Sequence, residues 1–242
     1  MLSLESLKEF TKKFQTIEKN VVREYMQHLF LSFLYKLPEA EKLLFKGGTA
    51  LRVIFHSPRF SEDLDFTGEN IYHHGIIDEL FISALSEIEK QGIRIDLREA
   101  KPTTGGYLGI LHYEIYNFIE DMKFEVSLRK GKKLGREITT IINDYTSHYS
   151  IVSLSKAEII KGKIRALLDR KKPRDYYDLY FFLRHPDLHK SIEKTQLKEV
   201  VENLEKERIN FKEELSVLLP ISHQMILKDF KPNLIKEIKR FI

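Results

Sequence analysis

FKGGTALRVIFHSPRFSEDLDF, residues 45–66, carries an apolar run into two glycines and a threonine, then ends on two aspartates that flank one leucine. Paired glycines let a backbone turn tightly and approach a ligand, since no Cβ intervenes. The pattern predicts a short buried strand, Leu43-Leu44-Phe45, running into a turn at Gly47-Gly48 and a helix from Thr49. Unpaired N–H groups at such a helix start favour an anion, and the Thr49 hydroxyl adds a donor suited to a phosphate oxygen. Taken alone, the same residues also suit an ordinary strand-to-helix turn. The order is not that of a P-loop, because Lys46 precedes the glycines.

Residues 62–66, EDLDF, alternate polar and apolar and predict a strand. Residues i and i+2 of a strand share a face, so Asp63 and Asp65 converge while Leu64 and Phe66 point into packing. Two carboxylates held together repel unless a cation neutralises them, and Mg²⁺ is bound in this manner beside phosphates. In MKFEVSLR the apolar face is Met122, Phe124, Val126 and Leu128, which leaves Lys123, Glu125, Ser127 and Arg129 opposite. If that strand lies beside the aspartates, Glu125 joins them as a third carboxylate; otherwise it is an exposed, ion-paired strand residue. Three acids are enough to hold two metal ions for an in-line displacement at phosphorus.

The rest of the chain sets bounds. Its 242 residues, 42% hydrophobic and 31% charged, suit one large or two modest folded domains. No apolar run approaches a membrane span, the first residues lack signal-peptide features, and the absence of cysteine fits a reducing cytoplasm. The net charge of +4 is compatible with nucleic acid without arguing for it, but LRKGKKLGR and LLDRKKPR concentrate basic residues in the second half. The H-E-x-x-H and G-x-S-x-G patterns are missing, and His73-His74 has no partner at metal spacing. His56, Arg59 and Tyr107 are weaker candidates for nucleotide contact.

Ser6 with Glu9 has the form of a capping box, and Val21, Tyr25, Leu29 and Phe33 recur on one helical face. An amphipathic helix is expected near 76–90, then strands near 93–99, 107–116 and 121–129. Beyond about residue 150 the pattern is helical, opened by a second capping box at Ser155–Glu158 and including a helix after Pro173. The expected organisation is an α/β domain over 1–150 with N-terminal helices and a helical domain over 151–242.

GG-T, 13 intervening residues and D-L-D-F resemble the nucleotidyltransferase superfamily motif. More narrowly, FKGGTALR…SPRFSEDLDF resembles the AbiEii/AbiGii toxin family of toxin–antitoxin pairs. AEIIKGKIRALLDRKKPRDYYDLYFFL, residues 157–183, is similar to that family's C-terminal motifs, matched here by Lys163, Ala166, Arg170, Arg174, Asp175 and Asp178. The resemblance implies a nucleotidyltransferase-like mixed sheet with flanking helices, an active site completed by the C-terminal domain, and a nucleoside triphosphate (NTP) as substrate. It assigns Mg²⁺ or Mn²⁺ to Asp63, Asp65 and Glu125. Nucleotide contacts fall to Lys46, Gly47, Gly48, Thr49, Ser61, Lys163 and Arg174, with Asp175 and Asp178 also catalytic or supporting Lys163. A cytoplasmic growth inhibitor acting on the tRNA 3′ end is the implied role, with a cognate antitoxin as a further partner. Basic residues at 129–136 and 170–174 would then serve as phosphate contacts. Transfer to a small molecule or protein, and a non-catalytic nucleotide- or RNA-binding module, are the alternatives.

Overall fold

Leu43, Leu44 and Phe45 are fully buried, and a run this apolar needs sheet neighbours on both edges and cover on both faces. In the computed structural model, which describes residues 1–128 and 134–242, it has them. Strand β1 (Leu43–Lys46) pairs antiparallel with β2 (Leu64–Gly68) and parallel with β7 (Tyr149–Leu154). Beyond β2 the sheet continues through β5 (Phe118–Leu128), β4 (Gly106–Ile115) and β3 (Arg94–Thr103), and beyond β7 it ends at β6 (Arg136–Ile141). The β2–β5 pair is parallel and the others on these flanks are antiparallel, so the sheet is mixed, with seven strands among the described residues.

The helices of the sheet unit are α1 (Leu4–Lys13), α2 (Glu18–Leu34), α3 (Gly47–Phe55) and α4 (Gly75–Glu89). Helix α2 packs on β5 and β7, α3 on β1 and β2, and α4 on α2 and β3. Phe30 of α2 lies 4.4 Å from Phe124 and 5.5 Å from Phe81, ring centre to ring centre, and these buried aromatics form the heart of the core.

The chain divides into two compact units, Met1–His56 with Phe60–Leu154 and Ser57–Arg59 with Ser155–Ile242. The second unit is helical: α5 (Lys156–Arg170), α6 (Pro173–Arg184), α7 (Lys194–Lys206), α8 (Phe211–Leu218) and α9 (Phe230–Ile238). Ser155 caps α5 as its sequence implies, its hydroxyl accepting from the Glu158 N–H at 3.4 Å, and Pro173 occupies the first turn of α6.

Three sequence expectations are corrected. Strands β6 and β7, which the sequence reading did not predict, occupy residues 136–141 and 149–154, so the helical part begins at α5 after Ser155 rather than at about 150. Helix α1 starts a turn before Ser6, so the capping hydroxyl is that of Ser3, which accepts from the Ser6 N–H at 3.0 Å. Helix α3 begins at Gly47 rather than Thr49, because Gly47 itself, at φ +85°, makes the turn out of extended Lys46.

A buried histidine gives the sheet unit an acid-sensitive core. His28 on α2 is 4% exposed, and its Nδ1 lies 2.8 Å from the Tyr149 hydroxyl. Burial lowers its pKa to about 4, with Arg52 acting the same way against Glu24 and Asp144. The unfolded chain therefore binds this proton first. His28 contributes stability in full above the ordinary histidine pKa of about 6.5, and that contribution is lost as pH falls toward 4. Urea unfolding at pH 7 and pH 4.5 should differ by about 2 kcal/mol on this account, a difference that His28→Gln should reduce.

Candidate active site

The turn after β1 presents a helix start without a side-chain cap. Lys46 and Gly47 bring the chain from β1 directly into α3, and the side chain of Lys46, at the N-cap position, makes no capping hydrogen bond. The N–H groups of this helix start and the helix dipole form an anion-attracting end. The Thr49 hydroxyl, expected at a phosphate, points elsewhere: Thr49 is fully buried and its Oγ1 donates to the Asp63 carbonyl at 2.5 Å. Its contribution to anion binding is confined to the backbone.

Both aspartates lie beside this helix start. Leu64 and Phe66 are fully buried, whereas Asp63 and Asp65 are half-exposed, so the alternation extends one residue ahead of β2. Asp65 is opposite Lys46 on β1 and Glu125 on β5. Its carboxylate fills the space where Gly47 would carry a Cβ, so a glycine is required there by contact as well as by backbone angle. Lys46 Nζ crosses β2 and donates to Ser127 Oγ at 2.9 Å. Burial raises the pKa of Asp63, and the charges of Asp65, Glu62 and Glu125 push the same way against Lys123. This excess of like charge is what an added cation would relieve.

Among the described residues no group of three or more His, Asp and Glu side chains is arranged to hold a metal ion. Glu125, expected as a third ligand, shares the row with Asp65 but stays exposed without closing a cage. The donor chemistry still fits a hard cation: Mg²⁺ typically takes one or two carboxylates, several waters and substrate phosphates. Asp63 and Asp65 are the residues that would hold it.

The second unit contains a separate charged cluster. Arg59, 2% exposed, donates to Asp178 through Nε at 2.9 Å and Nη2 at 3.1 Å, and Lys163 Nζ lies 2.8 Å from the same carboxylate. Burial alone would raise the Asp178 carboxyl, but Arg59 and Lys163 hold it below its ordinary pKa. Arg170 grips Asp175 in the same two-pronged way, at 2.7 Å for each bond. Two bases of α5 thus meet two acids of α6, joining the helices. Asp178→Leu would remove the buried carboxylate that Arg59 and Lys163 share and should cost about 3–5 kcal/mol in a denaturation experiment.

A family model described as "Nucleotidyl transferase AbiEii toxin, Type IV TA system" matches residues 29–241. The chain belongs to the AbiEii family. JHP933 from Helicobacter pylori is similar in structure, with TM-score 0.58 and 20% identity over 93% of this chain and 95% of its own. A candidate nucleotidyltransferase from H. pylori superposes with TM-score 0.57 and 19% identity, covering 93% of this chain and 99% of its own. At these identities the two structures establish a shared fold. No curated protein matches this sequence.

As an AbiEii-family nucleotidyltransferase, the protein brings Lys46, Gly47, Gly48, Thr49, Asp63, Asp65 and Glu125 together around one turn and three adjacent strands. Ser61 lies just ahead of them, half-exposed. Asp175 and Asp178, expected to act in catalysis, are each 1% exposed with their oxygens bound to cations. A role for either runs through its partners rather than through contact with substrate. Arg59, read as a nucleotide or solvent contact, is instead a partner of Asp178. Tyr107 is buried with its hydroxyl bonded to Asp78, which leaves its ring no free face for a base. Of the basic cluster at 170–174, Arg170, Lys171 and Arg174 are paired with Asp175, Glu207 and Glu214. Most of the 129–136 cluster, residues 129–133, lies outside the described residues. Lys123 and Ser127, placed by alternation on the Glu125 face, gain roles that sequence did not assign: Lys123 opposes the charge on Asp63, and Ser127 anchors Lys46.

Proposed function

We propose that this AbiEii-family enzyme transfers a nucleotidyl group from an NTP to an RNA hydroxyl, that of a tRNA 3′ end, and thereby arrests growth in the cytoplasm. The observation that carries the reading is the placement of Asp63 and Asp65 against the uncapped start of α3, with the Asp65 carboxylate directly over Gly47. The amides of Gly47, Gly48 and Thr49 face the triphosphate, and Lys46 adds positive charge on the same side. Asp63 and Asp65 would hold Mg²⁺ or Mn²⁺, which would supply positive charge to offset that of the phosphate oxygens.

In the reaction the acceptor oxygen bonds to the α-phosphorus, the bond to the bridging oxygen of the β-phosphate breaks, and pyrophosphate leaves. The hydroxyl proton passes to a carboxylate or to water, and Glu125, exposed beside Asp65, has the chemistry to take it. Catalysis is then mainly positioning and charge stabilisation. The family's place in type IV toxin–antitoxin systems supports a cognate antitoxin that restrains the activity.

Periodate tests the acceptor, because it destroys the terminal cis-diol of RNA and leaves internal hydroxyls intact. The protein is incubated with Mg²⁺, each α-³²P-labelled NTP in turn, and intact or periodate-treated total tRNA. Label on intact tRNA that disappears after periodate supports the 3′ end. Equal labelling of both moves the acceptor to an internal position, and label on neither moves it to a small molecule or protein.

A further inference from the structure

The residues just ahead of β2 have no strand partner, yet their carbonyls are tied down. Gln27 on α2 is 1% exposed, and its Nε2 donates to the Ser61 carbonyl at 2.9 Å and to the Glu62 carbonyl at 3.1 Å. The next carbonyl, that of Asp63, is the one that accepts from Thr49. Two buried side chains, one from each of two helices, therefore satisfy three consecutive carbonyls of irregular backbone, groups that would otherwise cost free energy beside the core.

One turn before Gln27, Arg23 sorts the acids. Its Nη1 lies 2.6 Å from Glu62 Oε1, and its other nitrogens reach Glu120 of β5 at 2.9 and 3.0 Å. The sequence S-E-D-L-D contains three carboxylates within four residues. Pairing with Arg23 draws off the first and leaves Asp63 and Asp65 as the pair beside Gly47. Arg23 and Gln27 both precede residue 29, where the family match begins.

We infer that Gln27 is a positioning residue for Asp63: its carboxamide fixes the backbone that aims this carboxylate, and so sets the cation affinity of the pair. The inference rests on the reading of Asp63 and Asp65 as cation ligands. A side chain that orients a ligand without touching the ion is commonly worth ten- to a hundredfold in affinity. Gln27→Glu keeps the shape but puts oxygens against two carbonyls, and Gln27→Leu removes the donor altogether.

The experiment measures Mn²⁺ binding by electron paramagnetic resonance, with the metal alone as probe, on the purified full chain, with circular dichroism confirming that each variant is folded. The expected result is Mn²⁺ affinity about tenfold weaker in Gln27→Glu and Gln27→Leu. Met26→Ala is the comparison, since it hollows the same helix at a fully buried neighbouring site and has no polar side chain to donate to a carbonyl. It should lower stability and leave Mn²⁺ affinity within about twofold. Unchanged affinity in both Gln27 variants overturns the proposal, as does equal weakening by Met26→Ala. Asp65→Asn separates the underlying reading: if it still binds Mn²⁺ normally, the carboxylate pair is not the cation site, and Gln27 loses its role with it.

Discussion

Asp65→Ala should lower nucleotide transfer by about a thousandfold or more while leaving the protein folded. Asp65 stands in the row Lys46–Asp65–Glu125 across three strands, and its carboxylate rests on the turn that opens α3. A metal at a transferring phosphate supplies several kcal/mol of charge stabilisation, and each 1.36 kcal/mol is a factor of ten in rate. On the proposed reading, removing one of the two ligands puts most of that stabilisation at stake. The side chain is half-exposed and outside the apolar core, so its truncation leaves no large cavity. Transfer rates with labelled NTP, taken together with a thermal melt, check both halves of this expectation. A variant with near-normal rates would remove Asp65 from the chemistry.

Gly47→Ala is the second large effect, and its cause is geometric. The residue sits at φ +85°, which a residue with a Cβ adopts only at a cost of about 1–2 kcal/mol. The added methyl would also collide with the Asp65 carboxylate, so either the turn or the aspartate must move. On the proposed reading of Asp65 as a metal ligand, displacing its carboxylate by an ångström suffices for roughly a hundredfold loss in rate. Gly75→Ala is the matching control, since nothing lies near its added Cβ and its φ is ordinary. Activity and melting temperature should both fall in Gly47→Ala and stay near wild type in Gly75→Ala.

The parts of the site that were legible in sequence are those governed by a period. Alternation placed Asp63 with Asp65 and set Glu125, Lys123 and Ser127 apart from a buried face, and the register confirms that these strands are neighbours. The glycine pair marked the turn. The edge of the sheet was harder to read. In β7 the serines at 150 and 153 dilute the apolar signal, and the strong capping pair at Ser155 draws the reading toward helix. The run Ile138-Thr139-Thr140-Ile141-Ile142 is rich in β-branched residues and was the available signal for β6.

Charged residues were legible in position but not in partnership. Arg59 and Asp178 are 119 residues apart in sequence, and no local pattern joins them. Lys163, Arg170, Asp175 and Asp178 look the same in sequence whether they face substrate or one another, and the structure pairs them. Gln27 was hidden for a related reason: a polar residue on an apolar helix looks like its solvent face until the backbone it supports is known.

The measurement that bears most directly on the central claim compares two labels. The protein, Mg²⁺ and total tRNA are incubated with each NTP carrying ³²P at either the α or the γ position, alongside Asp65→Ala. Nucleotidyl transfer centred on Asp63 and Asp65 predicts label on RNA from the α position only, and its loss in the variant. Label arriving from the γ position, or surviving undiminished in Asp65→Ala, would contradict it.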